Sequence, residues 1–315
     1  MNRTVSWTPE MAGRKPVAKL LLEIPEGLRD MALAAFFFSL MSLLVKVAGQ
    51  RLPSAELVMG RSVVSLALSW VMLRRARVAP WGRRKGLLAL RGLTGFGGLL
   101  CFFYAIPRLP LADVTTIQFI NPAFTALFAA LLLRESLTRT VVLSVGVSLT
   151  GVALISQPGF LFGELANPLD LTAVSVALLG AVFAALAYTT VRKLRETEHA
   201  LVVVFYFPLV SIPVCLPILV PVAVWPTPLE WLMLLGIGVL TQIAQVFLTN
   251  GLHKEPAGRA TSISYLQIVF AAGWGFLFFG EIPDPLTVLG VVCVVSSIMT
   301  VAGSRVPRAG HDVST

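Results

Sequence analysis

Charge is scarce in this sequence. Only 13% of its 315 residues are Asp, Glu, Lys or Arg, and 56% are hydrophobic. A soluble domain carries about 25% charged residues and about 45–50% apolar ones. With a mean hydropathy of +0.83 over the chain, an ordinary soluble enzyme is excluded. So is disorder, which requires low hydrophobicity. Histidine is nearly absent: His199, His253 and His311 are scattered over loops and the tail. No HExxH, histidine cluster or carboxylate pair on one helix face occurs, which argues against a membrane enzyme. A Walker motif is missing, so ATP is not expected to drive the protein. Cys101, Cys215 and Cys293 lie in apolar runs without any CxxC spacing and read as small core residues. No apolar run lies close enough to the start for a usual signal peptide, and residues 17–24 give a weak signal for an interfacial helix.

What the chain has is apolar length. A membrane span needs about 20 apolar residues, so ten take about 200. They are expected at residues 31–49, 54–73, 87–106, 111–133, 140–157, 170–191, 200–224, 229–250, 257–280 and 285–303. The few charges then sort by side. Twenty of the 25 Lys and Arg fall in alternate loops and the two tails, including Arg74, Arg75, Arg77, Arg83, Arg84 and Lys85 in one loop. Lys46, Arg51 and Arg108 lie near the other side; Arg61 and Arg91 lie within spans. The positive-inside rule therefore predicts both termini in the cytoplasm, which requires an even number of spans. The net charge of +9 is explained by topology, and no nucleic-acid partner is expected.

The chain also repeats itself. Shifted by 146 residues, 88–135 aligns with 234–281 without a gap. Gly92 meets Gly238, Pro110 meets Pro256, Thr115 meets Thr261, Phe124 meets Phe270, and Glu135 meets Glu281. Thr115, Gln118 and Asn121, spaced three apart, have polar counterparts in Thr261, Ser264 and Gln267. Five spans is an odd number, so the two copies face opposite ways. The charges agree: Glu135 lies between Arg134 and Arg139, whereas Glu281 lies beside Asp284 with no Lys or Arg. Inverted repeats mark alternating-access transporters, with the substrate site near the midplane between halves. The fold class is thus an all-α integral membrane protein of ten transmembrane helices in two inverted five-helix repeats. Residues 28–157 and 158–303 form the repeats, and 1–27 and 304–315 are cytoplasmic tails.

Three stretches carry a family likeness: AFFFSLMSLLVKVAGQRLPSAELVMGRSVVSL, FYAIPRLPLADVTTIQFINPAFTALFAALLLRESLT and EPAGRATSISYLQIVFAAGWGFLFFGEIPDPLTVLG. Over about residues 30–303 the chain resembles the EamA-type module of the drug/metabolite transporter superfamily. The resemblance implies ten helices around a central cavity, with the third, fourth, eighth and ninth helices lining much of it. It also implies secondary transport of small metabolites such as amino acids, vitamins, nucleotide sugars or S-adenosylmethionine. In the second half, the positions corresponding to Lys46 and Arg61 are expected to be apolar or aromatic.

Ionisable groups inside a span cost roughly 2.5–3.5 kcal/mol each on insertion scales and so face an interior or a cavity. Arg61, about eight residues into its span, shares a face with Ser65 and Ser69. Its guanidinium suits a carboxylate or phosphate; a structural or gating pair with Glu56 or Asp113 is the competing reading. Lys46 ends a stripe with Ser39 and Ser42 and either lines the cavity or snorkels to the headgroups. Gln242, Gln245 and Thr249, with Asn250 beside them, give the eighth helix a polar stripe. Such amides line water or bond between helices. Asn121-Pro122 is expected to kink the fourth span and free carbonyls for a site. Tyr104, Gln118, Tyr265 and Gln267 complete the candidate substrate-binding set. Trp225 and Trp231 read as interface anchors, and Pro208, Pro213, Pro217 and Pro221 bend the seventh span.

These residues and the resemblance predict a non-ATP transporter exporting a small organic metabolite, such as an amino acid, vitamin or nucleoside-type compound, by alternating access from the bacterial inner membrane. Import or exchange of such compounds is the alternative, and a membrane scaffold or enzyme is the rival class. No cofactor or metal is expected. A proton, a counter-substrate and a homodimer all stay open as partners.

Overall fold

The computed structural model describes residues 25–105, 108–109, 111–162, 170–280, 282 and 284–303. Among the described residues all regular structure is helical. The elements are α1 (Glu26–Ala48), α2 (Ser54–Arg75), α3 (Lys85–Ala105), α4 (Leu111–Gln118), α5 (Asn121–Leu133), α6 (Arg139–Ser156) and the short α7 (Gly159–Phe162). The second half holds α8 (Leu171–Leu194), α9 (Ala200–Leu219), α10 (Pro228–Lys254), α11 (Ala257–Ser262), a 3-10 turn (Ile263–Tyr265), α12 (Leu266–Phe279) and α13 (Pro285–Gly303). Ten helical segments among the described residues are long and apolar enough to cross a membrane, as the hydropathy predicts. The stretch proposed as an interfacial helix lies outside the described residues.

Local chemistry sets the ends. Pro25 and Pro53 precede α1 and α2, where a proline's missing N–H costs nothing. Thr138, Asp170 and His199 accept from first-turn amides of α6, α8 and α9. Thr227 and Glu230 form a capping box on α10. α9 carries Pro208, Pro213 and Pro217 internally and ends at Leu219, before Pro221.

The 146-residue register extends well beyond the stretch in which it is visible in sequence. α1 ends at Ala48 and its partner α8 at Leu194; α2 begins at Ser54 and α9 at Ala200; α6 begins at Arg139 and α13 at Pro285. Left-handed residues Arg134 and Gly280 close α5 and α12 at the same repeat position. Where partner helices meet, their contacts are two-fold related. Gly151 of α6 approaches Gly290 of α13, while Ser297 of α13 donates to the Ser144 carbonyl of α6 at 2.7 Å. Gly290 is the counterpart of Ser144, and Ser297 of Gly151. A Cβ on Gly151 would stand 2.7 Å from the Gly290 carbonyl, so the close crossing needs glycine there.

In this register Arg192 is the counterpart of Lys46, and Phe207 is the counterpart of Arg61. The expectation of an apolar or aromatic residue opposite Lys46 is therefore corrected. Sequence identity had fixed the register only for residues 88–135.

The helix of the fourth span is interrupted just before the proline expected to kink it. α4 stops at Gln118, and α5 restarts at Asn121 with Pro122 in its first turn. The ninth span breaks at the same repeat position, through the 3-10 turn Ile263–Tyr265. Ile268, not proline, stands there at the counterpart of Pro122, so the break belongs to the repeat and not to proline alone. The freed Gln118 carbonyl is not left open for a ligand: Asn121 Nδ2 donates to it at 2.8 Å. Phe119 and Tyr265, which are repeat counterparts, stack with ring centroids 6.0 Å apart. The pseudo-two-fold axis passes between them.

The two ends of the bundle are tied differently. At the end bearing most of the basic residues, Arg192 of α8 donates to Glu135 at 2.6 Å and to the Leu252 and His253 carbonyls that close α10. Glu135 also accepts the Ala257 N–H that opens α11. Arg83 and Arg84 amides donate to Glu198, and Tyr206 donates to the Trp81 carbonyl. At the opposite end Arg51 pairs with Glu230 and reaches the Trp225 carbonyl, the Val224 N–H donates to Glu56, and Gln157 donates to Asp284. Trp225 and Trp231 are exposed there with edge-to-face rings.

Candidate substrate site

α2 presents Arg61, Ser65 and Ser69 at helical spacing along one face. Ser65 and Ser69 are buried, and Ser69 accepts from Gln242 Nε2 of α10 at 2.9 Å. The Arg61 guanidinium lies over the Phe207 ring of α9, 5.3 Å from its centroid. Arg91 of α3 lies over the same ring at 4.8 Å. The two guanidinium carbons are thus at most about 10 Å apart. Arg91 is 2% exposed, and its Nη2 donates to Gln245 Oε1 of α10 at 3.1 Å. Tyr188 of α8 is close enough to interact with it electrostatically. Gly95 makes the space: a Cβ there would stand 2.6 Å from Arg91 Nη1 and 2.9 Å from Phe207 Cε2.

Symmetry fixes the depth of this cluster. The axis relating inverted repeats lies in the membrane plane at mid-depth. Arg61 and Phe207 are counterparts in contact across that axis, so they sit at the middle of the bundle. Phe119 and Tyr265 mark the same axis.

Electrostatics there are unbalanced. Among the described residues no carboxylate reaches Arg61 or Arg91. Glu56, the partner expected for Arg61, instead accepts the Val224 N–H at 3.1 Å. Glu56 and Arg61 are five positions apart, which turns the two to different faces of the helix. Side-chain contacts of Asp113 lie outside the described residues. Two cations no more than about 10 Å apart repel by at least roughly 1.7 kcal/mol at an effective dielectric of 20. The shared ring offers each roughly 0.5–2 kcal/mol of cation–π attraction but no countercharge. Hydrogen bonding is also incomplete. Ser62 Oγ, Arg91 Nε, Thr241 Oγ, Gln242 Oε1 and Thr249 Oγ are buried without a protein partner. Buried polar atoms ordinarily find partners, so these five, drawn from both halves, are spare hydrogen-bonding capacity on the second, third and eighth spans.

The remaining candidates separate into two sets. Gln118, Asn121, Tyr265 and Gln267 flank the two helix breaks, with Asn121 Oδ1 and the Tyr265 hydroxyl buried and unpartnered. Lys46 is exposed in the last turn of α1, and Ser39 of its stripe accepts from Trp274 instead. Tyr104 is exposed under Arg108, whose guanidinium lies 3.8 Å from its ring centroid; it is thirteen residues, or about 20 Å, along α3 from Arg91. Asn250 is half-buried near the end of α10. The cluster therefore lies on the second, third, seventh and eighth spans, with Tyr188 of the sixth. The fourth and ninth contribute the helix breaks.

The EamA-like transporter family model matches residues 30–157 and again 171–303, which together span most of the chain. The chain belongs to the EamA-like transporter family. Its two family matches coincide with the two structural repeats. This EamA-type chain is 38% identical over 283 residues to the pseudopaline exporter CntI of Pseudomonas aeruginosa, covering 90% of this chain and 98% of that one. It is 31% identical to human solute carrier family 35 member G1, covering 92% of this chain and 82% of the relative. A solved crystal structure superposes with a TM-score of 0.78 over 87% of this chain and 95% of the other, at 17% identity, and shows the shared fold. The protein is accordingly a multi-pass membrane transporter of the drug/metabolite transporter superfamily.

Phe207 lies outside the candidates drawn from the sequence, whereas Arg91 is among them only as a charge within a span. The repeat register held a usable signal for Phe207, the counterpart of an intramembrane arginine. For Arg91 the signal was its charge, since it is the second arginine that topology does not use.

Proposed function

We propose that this protein exports a small organic metabolite across a bacterial inner membrane by alternating access, with both termini cytoplasmic and without ATP. One observation carries the reading. A buried polar cluster built by both repeats stands on their symmetry axis, equally distant from the two bundle ends. Rocking of one repeat against the other exposes such a site first to one face and then to the other. Export is favoured by the pseudopaline exporter, which matches nearly end to end. The amino-acid, vitamin or nucleoside-type class expected from the sequence stands as the substrate range. The basic loops support a cytoplasmic position for the Glu135–Arg192 end by the positive-inside rule.

The test is a comparison of metabolites in the medium and in the cells, with and without the protein, followed by flux of any enriched compound in proteoliposomes. Accumulation in the medium and saturable flux are expected. A purified protein that gives no flux of any enriched metabolite, in either direction, overturns the reading in favour of a scaffold. A chemically altered product would favour an enzyme.

A further inference from the structure

We infer that the Arg61–Phe207–Arg91 cluster is a binding site for an organic dianion, a metabolite presenting two carboxylates or one phosphate. This deepens the transport reading and rests on it for the route by which the ligand reaches mid-depth. Arg61 makes no hydrogen bond or ion pair among the described residues, so its five N–H donors are unspent. Arg91 spends one nitrogen on Gln245 and keeps a buried, unpartnered Nε. Gln245, accepting through Oε1, keeps its amide N–H groups to donate. The Ser62 and Thr241 hydroxyls nearby in sequence on the same two helices are also unpartnered. The charged groups with spare capacity are both donors, the two hydroxyls can donate as well as accept, Gln242 Oε1 is an unpartnered acceptor on α10, and the fixed charge is two positives.

A neutral ligand would leave both cations uncompensated in a medium where isolated charge is costly. A monoanion would leave one. Two oxyanion groups, or one doubly charged group, bring the site to neutrality and allow charge-assisted and bidentate bonds. Lipid headgroups have the same chemistry, but they sit about 15 Å away from the midplane of a hydrocarbon core about 30 Å thick. The apolar groove between α1 and α10, lined by Leu44, Met233, Gly236 and Leu240, offers an acyl chain no polar anchor at the cluster.

The experiment follows thermal unfolding of the purified full-length protein in detergent at constant ionic strength. The probes are succinate, glutarate and inorganic phosphate, with the neutral glutaramide as the isosteric control. Saturable stabilisation by at least one of the three anions, and none by glutaramide, is expected. Arg61→Gln and Arg91→Gln are each expected to weaken that response about 10- to 100-fold, the loss of one charged hydrogen-bonding partner. Arg61→Lys and Arg91→Lys retain the charge and are expected to keep a weakened response, which guards against simple misfolding. Equal stabilisation by diacid and diamide, stabilisation by none, or an undiminished anion response in the Arg61→Gln/Arg91→Gln double variant overturns the proposal. So does an anion response abolished by adding phosphatidylglycerol, which would make the occupant a headgroup. A protein that moves a metabolite in vesicles but ignores these anions keeps the transport reading and loses this one. Anion binding without flux does the reverse.

Discussion

Removing the Glu135 carboxylate is expected to loosen the basic end of the bundle. Arg192 is 6% and Glu135 18% exposed as side chains, so the pair is nearly dry. Breaking a buried pair by removing one partner costs about 3–5 kcal/mol, because the other charge stays buried. Residual exposure of Glu135 brings this to roughly 2–4 kcal/mol through solvent screening. Glu135 also accepts the Ala257 N–H at 2.8 Å, and an orphaned amide contributes about 1–3 kcal/mol of that loss. The pair joins α5, α8, α10 and α11 at one end, so the loss falls on the state in which that end is closed. A tenfold change in the closed-to-open ratio needs only about 1.4 kcal/mol. Glu135→Gln is therefore expected to shift the ratio at least tenfold toward opening at the basic end. The assay is labelling of a single cysteine beneath the pair by a membrane-impermeant maleimide, in a background lacking Cys101, Cys215 and Cys293. A double-mutant cycle with Arg192→Gln accompanies it. A coupling energy below about 0.5 kcal/mol, or unchanged labelling, would refute the reasoning.

Further outcomes follow from the same geometry. Gly95→Ala places a methyl group against Arg91 Nη1 and Phe207; overpacking of about 1–3 kcal/mol and loss of most transport, with the protein still folded, are expected from melting and flux measured together. At the end opposite the basic one, hydrogen bonds from Thr287 and Gln157 hold the Asp284 carboxyl below its usual 3.8. A depressed carboxylate stabilises the fold above its unfolded pKa and loses that contribution as pH falls through the lowered value. The melting difference between wild type and Asp284→Asn is thus expected to stay constant from neutral pH to about 5 and to shrink only below it. Shrinkage already between pH 7 and 5 would contradict the cause assigned.

Much of the architecture is legible because the bilayer imposes it. Apolar length gives spans, and lysine and arginine choose sides, both through solvation of single residues. Arg61, Gln242 and Gln245 were readable for the same reason, as polar groups where hydrocarbon makes them expensive. The helix breaks were not, because hydropathy runs on unbroken through Phe119 and Tyr265. Proline flagged only the first of them, and the second has Ile268 in its place.

By itself the sequence determined ten spans, their duplication and a short roster of costly polar side chains, since each of these depends on residues one at a time or in register along the chain. Only the tertiary structure decided that Arg61 shares the Phe207 ring with Arg91, that Glu56 turns away to Val224, and that Arg192 closes on Glu135. These are meetings between helices far apart in the chain. Which faces meet is set by where the helices cross, around an axis that no single segment contains.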